Sequence, residues 1–239
     1  MSGERECPIC DTVVASFDPG GHPDRLRLDA KCQTCGSLER HRGLWLFFRK
    51  RIFHRRIPVR HGRMGIRMLH VAPKGMRMLH VAPETHLRDR FQMVRHLSYL
   101  TADLDPAKAM VQMDLTNIDL PDDSFDLILA SHVLEHIPDD LAAMRELRRV
   151  LRPLGKLILA VPMWGDVTRE DLSITDPGER RRLYGQDDHV RMYGHDGVFE
   201  ERLRAAGFEV TIDSVIADMA PALQQRYRVL ARERIFQCE

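Results

Sequence analysis

From residue 78 onward, short apolar runs alternate with longer amphipathic segments, and no feature of the chain constrains its fold more tightly. A short run that is apolar throughout suits a strand covered on both faces, so the alternation predicts a mainly parallel sheet with helices on either side. Strands are expected at 78–82, 97–103, around 111–114, 124–131, 156–162 and 208–216. The clearest helix is PDDLAAMRELRRVLRP, with Asp139 and Asp140 in its first turn, Leu141, Met144, Leu147 and Leu151 on one stripe, and Pro153 as its stop. A second, GVFEERLRAAG, is closed by Gly207. In an open sheet of this kind a ligand lies beyond the carboxyl ends of the strands, where the strand order reverses.

Acidic residues mark those ends. Asp103 follows Ala82 by 21 residues, the interval at which a Rossmann-like fold offers a carboxylate to a pair of ribose hydroxyls, with Asp105 in reserve. Asp114 closes the third strand, where an acceptor beside a backbone N–H suits the amino group and ring nitrogen of an adenine. Either aspartate alone is more often a loop cap. Their placement on successive strand ends points to one shared ligand.

CPIC at 7–10 and CQTC at 32–35 form two Cys-x-x-Cys pairs separated by 21 residues, a spacing suited to tetrahedral zinc through Cys7, Cys10, Cys32 and Cys35. Four sulfur ligands leave no position for an activated water, so a structural ion is expected. Gly36 allows the sharp backbone of the second pair. The following SLERHRGLWLFFRKRIF sets Leu38, Leu44, Trp45, Phe48 and Ile52 at helical spacing, and this helix is expected to dock the ribbon on the main domain. Cys238 stands apart with no expected role.

The net charge of +1 conceals segregation, because residues 1–39, 40–83 and 84–239 carry −3, +12 and −8. The middle belt suits contact with phosphates, RNA among them, or else is a solvated helix and linker that balances an acidic main domain. No run of about 18 apolar residues suggests a membrane span, and MSGERECPIC lacks the apolar stretch of a secretory leader. A cytoplasmic setting is expected. The expected organisation is a zinc ribbon at 1–43, a basic helix and linker at 44–77 and a Rossmann-like domain at 78–239.

RMLHVAP occurs twice, at 67–73 and 77–83. The second copy leads into the helical pattern ETHLRDRFQMV and is the expected first strand. The first copy, with Pro73 and Gly75 behind it, is expected to loop out, the rival being a hairpin with the second copy.

Residues 119–162, DLPDDSFDLILASHVLEHIPDDLAAMRELRRVLRPLGKLILAVP, resemble the later core of class I S-adenosylmethionine-dependent methyltransferases of the type 11 branch. With the four-cysteine ribbon, HVAPE and YGQDDHVRMYG, the chain looks like a subgroup of bacterial zinc-ribbon-bearing methyltransferases, the likeness extending over residues 78–212. The resemblance implies that Asp103 holds the ribose hydroxyls, Asp114 with Leu115 the adenine, and Ser131 with His132 the methionine end of the cofactor. It departs at the first motif, where Ala82, Pro83 and Glu84 stand in place of a glycine-rich turn. That turn serves close approach here rather than phosphate binding, and Glu84 is expected either to meet the cofactor's positive charge or to serve only as a first-turn helix residue.

Methyl transfer from a sulfonium chiefly needs a positioned acceptor and excluded water. For a hydroxyl or ammonium acceptor a base is needed, and His189 is the first candidate, with Arg191 and Tyr193 orienting the substrate and Tyr184 as a wall. Glu135 and His136 are expected to support the site's architecture. A metal-binding histidine pair lacks a third ligand at a convincing spacing. The acceptor class is not legible, and the rival readings are a nucleic-acid-binding module and a degenerate enzyme that has lost its cofactor.

Overall fold

The computed structural model describes residues 4–21, 26–53, 55–61 and 65–239, the side chains of 55–61 and 65–69 excepted. The chain opens with strands β1 (Arg5–Cys7), β2 (Thr12–Val14), β3 (Asp18–Gly20) and β4 (Arg27–Lys31). Helix α1 (Glu39–Phe47) follows, running into a π-helical turn (Phe48–Ile52), then β5 (Arg55–His61) and β6 (Gly65–Val71). Next come β7 (Arg77–Val81), α2 (Thr85–Phe91), β8 (Ser98–Asp103), β9 (Val111–Gln112) and β10 (Phe125–Ser131). The remainder is α3 (Asp140–Val150), β11 (Leu151–Ala160), β12 (Arg169–Glu170), α4 (Pro177–Tyr184), β13 (Arg191–Met192), α5 (Val198–Ala205), β14 (Val210–Asp213), α6 (Pro221–Tyr227) and β15 (Ile235–Cys238). Two compact units result, the first from 1–76, 84–97 and 213–234, the second from 77–83, 98–212 and 235–239. Residues 84–97 and 213–234 belong to the ribbon's unit and not to that of the sheet.

The second unit is built on a seven-stranded sheet in the order β14-β15-β11-β10-β7-β8-β9. Strands β9, β8, β7, β10 and β11 are parallel, as the apolar runs require, and β15 joins antiparallel with Leu157 opposite Cys238. From β7 the chain builds outward through β8 and β9, then returns to β7's other side for β10 and β11, so the order reverses at β7 and β10. Leu79, Ile128, Leu157 and Leu159 are fully buried in the sheet, and Met144 and Leu147 of α3 with Phe199 and Leu203 of α5 cover them. Asp139 caps α3 by accepting the Ala142 N–H at 2.9 Å. The helix ends at Val150, before the expected stop at Pro153, because the Val150 carbonyl accepts the Ser124 N–H and Leu151 is already opposite Phe125 in the sheet. The expected final strand at 208–216 is shorter, and β15, for which no strand is expected, lies between it and β11.

In the first unit, β1 with β2 and β3 with β4 form two small antiparallel hairpins. The helix expected after the ribbon is present, and Trp45, Phe48 and Phe53 gather round Phe91 of α2 with ring centroids 4.9–6.2 Å apart. Arg42 is fully buried and gives its donors to the carbonyls of Ala30, Ser37, Tyr227 and Arg228, with its guanidinium over Phe17. This cation of the basic belt is therefore consumed inside the fold. The first RMLHVAP copy is not looped out. It contributes β6, paired antiparallel with β5 from Arg55↔Val71 to His61↔Gly65, so neither of the two expected arrangements holds. Its partner is the preceding segment rather than the second copy, which is β7 of the main sheet.

Burial, with Glu39 nearby, pushes the Glu233 carboxyl up to about 7. Its ordinary value is near 4.5, so the folded state binds a proton that the unfolded chain releases first. Stability from this group is unaffected below about pH 4.5, declines as pH rises to about 7, and stays lower above it. Glu233→Gln is expected to raise unfolding stability at pH 8 by up to about 3 kcal/mol and to change it little at pH 4, read from paired thermal melts.

Candidate functional site

Two clusters of chemistry-bearing side chains stand out, one in each unit. In the first unit the four cysteines converge. Cys7 Sγ lies 3.7 Å from Cys35 Sγ, and Cys10 Sγ lies 3.6 Å from Cys32 Sγ. A tetrahedron of sulfurs bound at 2.3 Å has edges of about 3.8 Å, so the separations fit that arrangement. Each pair sits on a tight turn: Asp11 N–H donates to the Cys7 carbonyl and Gly36 N–H to that of Cys32, both at 2.8 Å. Gly36 has φ +76°, a left-handed conformation that glycine adopts freely. Ser37 Oγ lies 3.3 Å from Cys7 Sγ and 3.2 Å from Cys35 Sγ, close enough to hydrogen-bond thiolates. The donor set is that of a small zinc ribbon.

In the second unit the expected cofactor residues occupy the carboxyl ends of neighbouring strands. Asp103 closes β8; its Oδ1 accepts the Asp105 N–H at 2.9 Å, and its carbonyl accepts the Met113 N–H at 2.9 Å, which brings the β8 and β9 ends together. Asp114 follows, exposed, with Oδ1 accepting from both the N–H and hydroxyl of Thr116 at 2.8 Å. Those two bonds hold its carboxyl below the usual range. Its other expected partner, Leu115, is buried in the core. On the far side of β7, Ser131 ends β10 with a buried hydroxyl that has no hydrogen-bond partner, an orphan polar atom of the kind a ligand satisfies.

The missing glycines are answered at Ala82. It has φ +47° and donates its N–H to the Ala102 carbonyl at 2.8 Å, so the turn after β7 adopts a left-handed conformation without glycine, at a cost on the order of 1 kcal/mol. His132 is likewise left-handed, φ +56°, and donates its N–H to Ala160. Glu84 belongs to the first unit. It is the N-cap residue of α2, and its carboxylate is 3.7 Å from His41 Nε2.

The loop expected to meet the substrate is more buried than its polar composition suggests. Arg191 is fully buried and all of its donors are used: on the carbonyls of Leu134 and Pro138 at 2.8 and 2.7 Å, on that of Ile137, and on Glu170 at 2.6 Å. Tyr193 is also fully buried, donating its hydroxyl to Asp140 at 2.6 Å, and burial beside that carboxylate pushes its pKa well up. The donors of both side chains are thus spent on partners inside the fold, in place of the substrate contact expected of them. Arg202 completes the network with Asp140 at 2.7 Å and with Glu170. Tyr184 is buried, and its hydroxyl oxygen accepts the Asp171 N–H at 3.0 Å. Gly194 permits this close folding, since a Cβ there would stand 2.3 Å from the Val167 carbonyl carbon.

His189 is different. It is buried, its Nδ1 is 3.0 Å from the Tyr184 carbonyl, and its Nε2 has no hydrogen-bond partner. Burial holds its pKa below the ordinary value, which favours neutral imidazole. Next to it, Glu135 is fully buried and neither carboxylate oxygen makes a hydrogen bond; the nearest cation-forming group is His132 Nδ1 at 3.4 Å. Burial pushes that carboxyl up, and the imidazoles of His132 and His136 outweigh it, leaving its pKa below the usual range. The Val190 N–H donates to the Glu135 carbonyl at 3.0 Å and fixes the two segments side by side.

Residues 77–159 match the family model of a methyltransferase domain. The sterol 24-C-methyltransferase of Eremothecium gossypii is 34% identical over 111 residues, covering 45% of this chain and 28% of that protein. The 2-methyl-6-phytyl-1,4-hydroquinone methyltransferase of Synechocystis is 31% identical over 116 residues, covering 48% and 36%. The chain thus spans about a third of the length of these curated relatives. A solved S-adenosylmethionine-dependent methyltransferase from Mesorhizobium loti aligns over 69% of this chain and 90% of its own at 17% identity and a TM-score of 0.48. The sheet order and flanking helices of the second unit are those of the class I methyltransferase fold. The four cysteines of the first unit form a cluster that fits a small zinc ribbon.

Proposed function

We propose that this protein transfers the methyl group of S-adenosylmethionine to an acceptor, with a zinc ion bound by Cys7, Cys10, Cys32 and Cys35 as a structural element of the first unit. The observation that carries the reading is the row of strand ends in the domain matched to methyltransferases. There Asp103 on β8 and the orphan Ser131 hydroxyl on β10 flank the left-handed turn at Ala82, at the reversal of strand order. In this reading Asp103 holds the ribose hydroxyls, Asp114 and the backbone at Leu115 the adenine, and Ser131 and His132 the methionine end. Bound there, the cofactor supplies an electrophilic methyl on a sulfonium. The chain's residues hold it in line with the acceptor and keep water away. Glu84, already facing His41, is left out of this set.

Calorimetric titration with S-adenosylmethionine tests the reading. The wild-type chain is expected to bind one equivalent, and Asp103→Ala to bind about 10- to 100-fold more weakly, the loss of hydrogen bonds to a charged acceptor. Absence of binding by the wild type, or equal affinity in the variant, rejects it. RNA contact through segment 40–83 rests on charge alone: Arg42 is buried, and the side chains of Arg55, Arg56, Arg60, Arg63 and Arg67 lie outside the described residues.

A further inference from the structure

Just past the β10 end, Glu135, His136 and His189 each offer a ligand atom, and these atoms all lie within 4.8 Å of one another. We propose that these three residues bind a divalent transition-metal ion, with open coordination positions that take the oxygen of a hydroxyl-bearing methyl acceptor. The acceptor half of this proposal rests on the methyl-transfer reading above; the metal site does not.

The cluster has the chemistry of a site rather than of a packed core. A carboxylate with no surface exposure, met by the His132 ring nitrogen at 3.4 Å, lies beside a buried His189 nitrogen that has no hydrogen-bond partner. Such burial is costly unless a cation is shared between them. Both imidazoles are already oriented from behind. His189 directs Nδ1 to the Tyr184 carbonyl at 3.0 Å, and His136 directs Nδ1 to the Asp188 carboxylate at 3.3 Å. A carbonyl or carboxylate that takes the Nδ1 proton fixes the tautomer and leaves Nε2 as a lone pair, the arrangement that usually stands behind a metal-bound histidine. The rings meet edge to face with centroids 4.7 Å apart.

Two imidazoles and one carboxylate suit zinc, manganese, iron or cobalt better than the hard all-oxygen ions. Three protein ligands leave positions open, as catalytic metal sites do. An acceptor hydroxyl placed there would lose its proton more readily. In the transfer, an oxygen lone pair forms the new O–C bond while the C–S bond breaks and its electron pair stays on sulfur; the hydroxyl proton leaves to solvent water.

Cobalt(II) added to the full-length chain loaded with a single equivalent of zinc separates the sites, because the four thiolates take that zinc ahead of the imidazole–carboxylate cluster and hold it more tightly than cobalt. The expected result is one equivalent of cobalt with visible d–d bands and no sulfur-to-cobalt charge-transfer band. Glu135→Gln and His189→Gln are each expected to weaken it by at least about tenfold, with zinc content and far-ultraviolet circular dichroism unchanged. No nitrogen–oxygen cobalt spectrum in the wild type overturns the site whatever the variants do, and so does equal cobalt affinity in well-folded variants. Calorimetry with S-adenosylmethionine on the same samples keeps the two readings apart: a chain that binds cobalt here but no cofactor retains the metal site and loses the methyl-transfer reading.

Discussion

Cys7→Ser is expected to empty the ribbon of zinc and to unfold the hairpins around it. Cys7 is fully buried, and its sulfur is one of four brought to tetrahedral separations by two turns whose strands are only three to five residues long. Strands that short bury little apolar surface, so the ion supplies most of the stability of such a module. Structural zinc contributes about 10–16 kcal/mol in small zinc-dependent folds, and loss of one thiolate removes a large share of it. The wild type should purify with one zinc per chain by elemental analysis, and the serine variant with nearly none. Chelation of the wild type should lower its thermal stability as the substitution does. A wild-type chain that carries no zinc, or a variant that retains it, would reject the assignment.

The second large effect is expected at Arg191→Met. Methionine roughly fills the volume, but three backbone carbonyls, those of Leu134, Ile137 and Pro138, lose their donor, and Glu170 loses one of its two cations. Removing one member of a buried charged network costs about 3–5 kcal/mol, because the remaining groups stay desolvated and unpaired. For a chain of this size that corresponds to a fall in Tm of roughly 8–15 °C. A substrate-orienting arginine would behave differently, raising KM or lowering kcat while leaving the melt unchanged. Thermal unfolding therefore decides between the buried role and the one the sequence suggested.

The expectation for Arg191 has a readable source. YGQDDHVRMYG is polar and aromatic, which in a sequence resembles a substrate loop, and nothing local reveals that carbonyls 53–57 residues away will consume the arginine. The same blindness hid the third member of the histidine–carboxylate cluster. Glu135 and His136 are adjacent and readable, but His189 joins them only because the Val190 N–H reaches back to the Glu135 carbonyl. The repeated RMLHVAP failed for another reason. Both copies have the same strand preference, and their different partners, β5 for one and the central sheet for the other, depend on what else competes for each edge.

What the sequence determined by itself was everything carried by short-range pattern: the parallel strands from their apolar runs, α3 and α5 from their stripes and caps, and the cluster of four sulfurs from two fixed spacings. Neighbours along the chain set these, so the letters suffice. Tertiary structure alone decided that β15 enters the sheet beside β11, that 213–234 returns to the ribbon's unit, and that Arg191 is enclosed in a buried network. Each depends on which distant backbone group or carboxylate is left unsatisfied when the sheet closes, and no local periodicity encodes that.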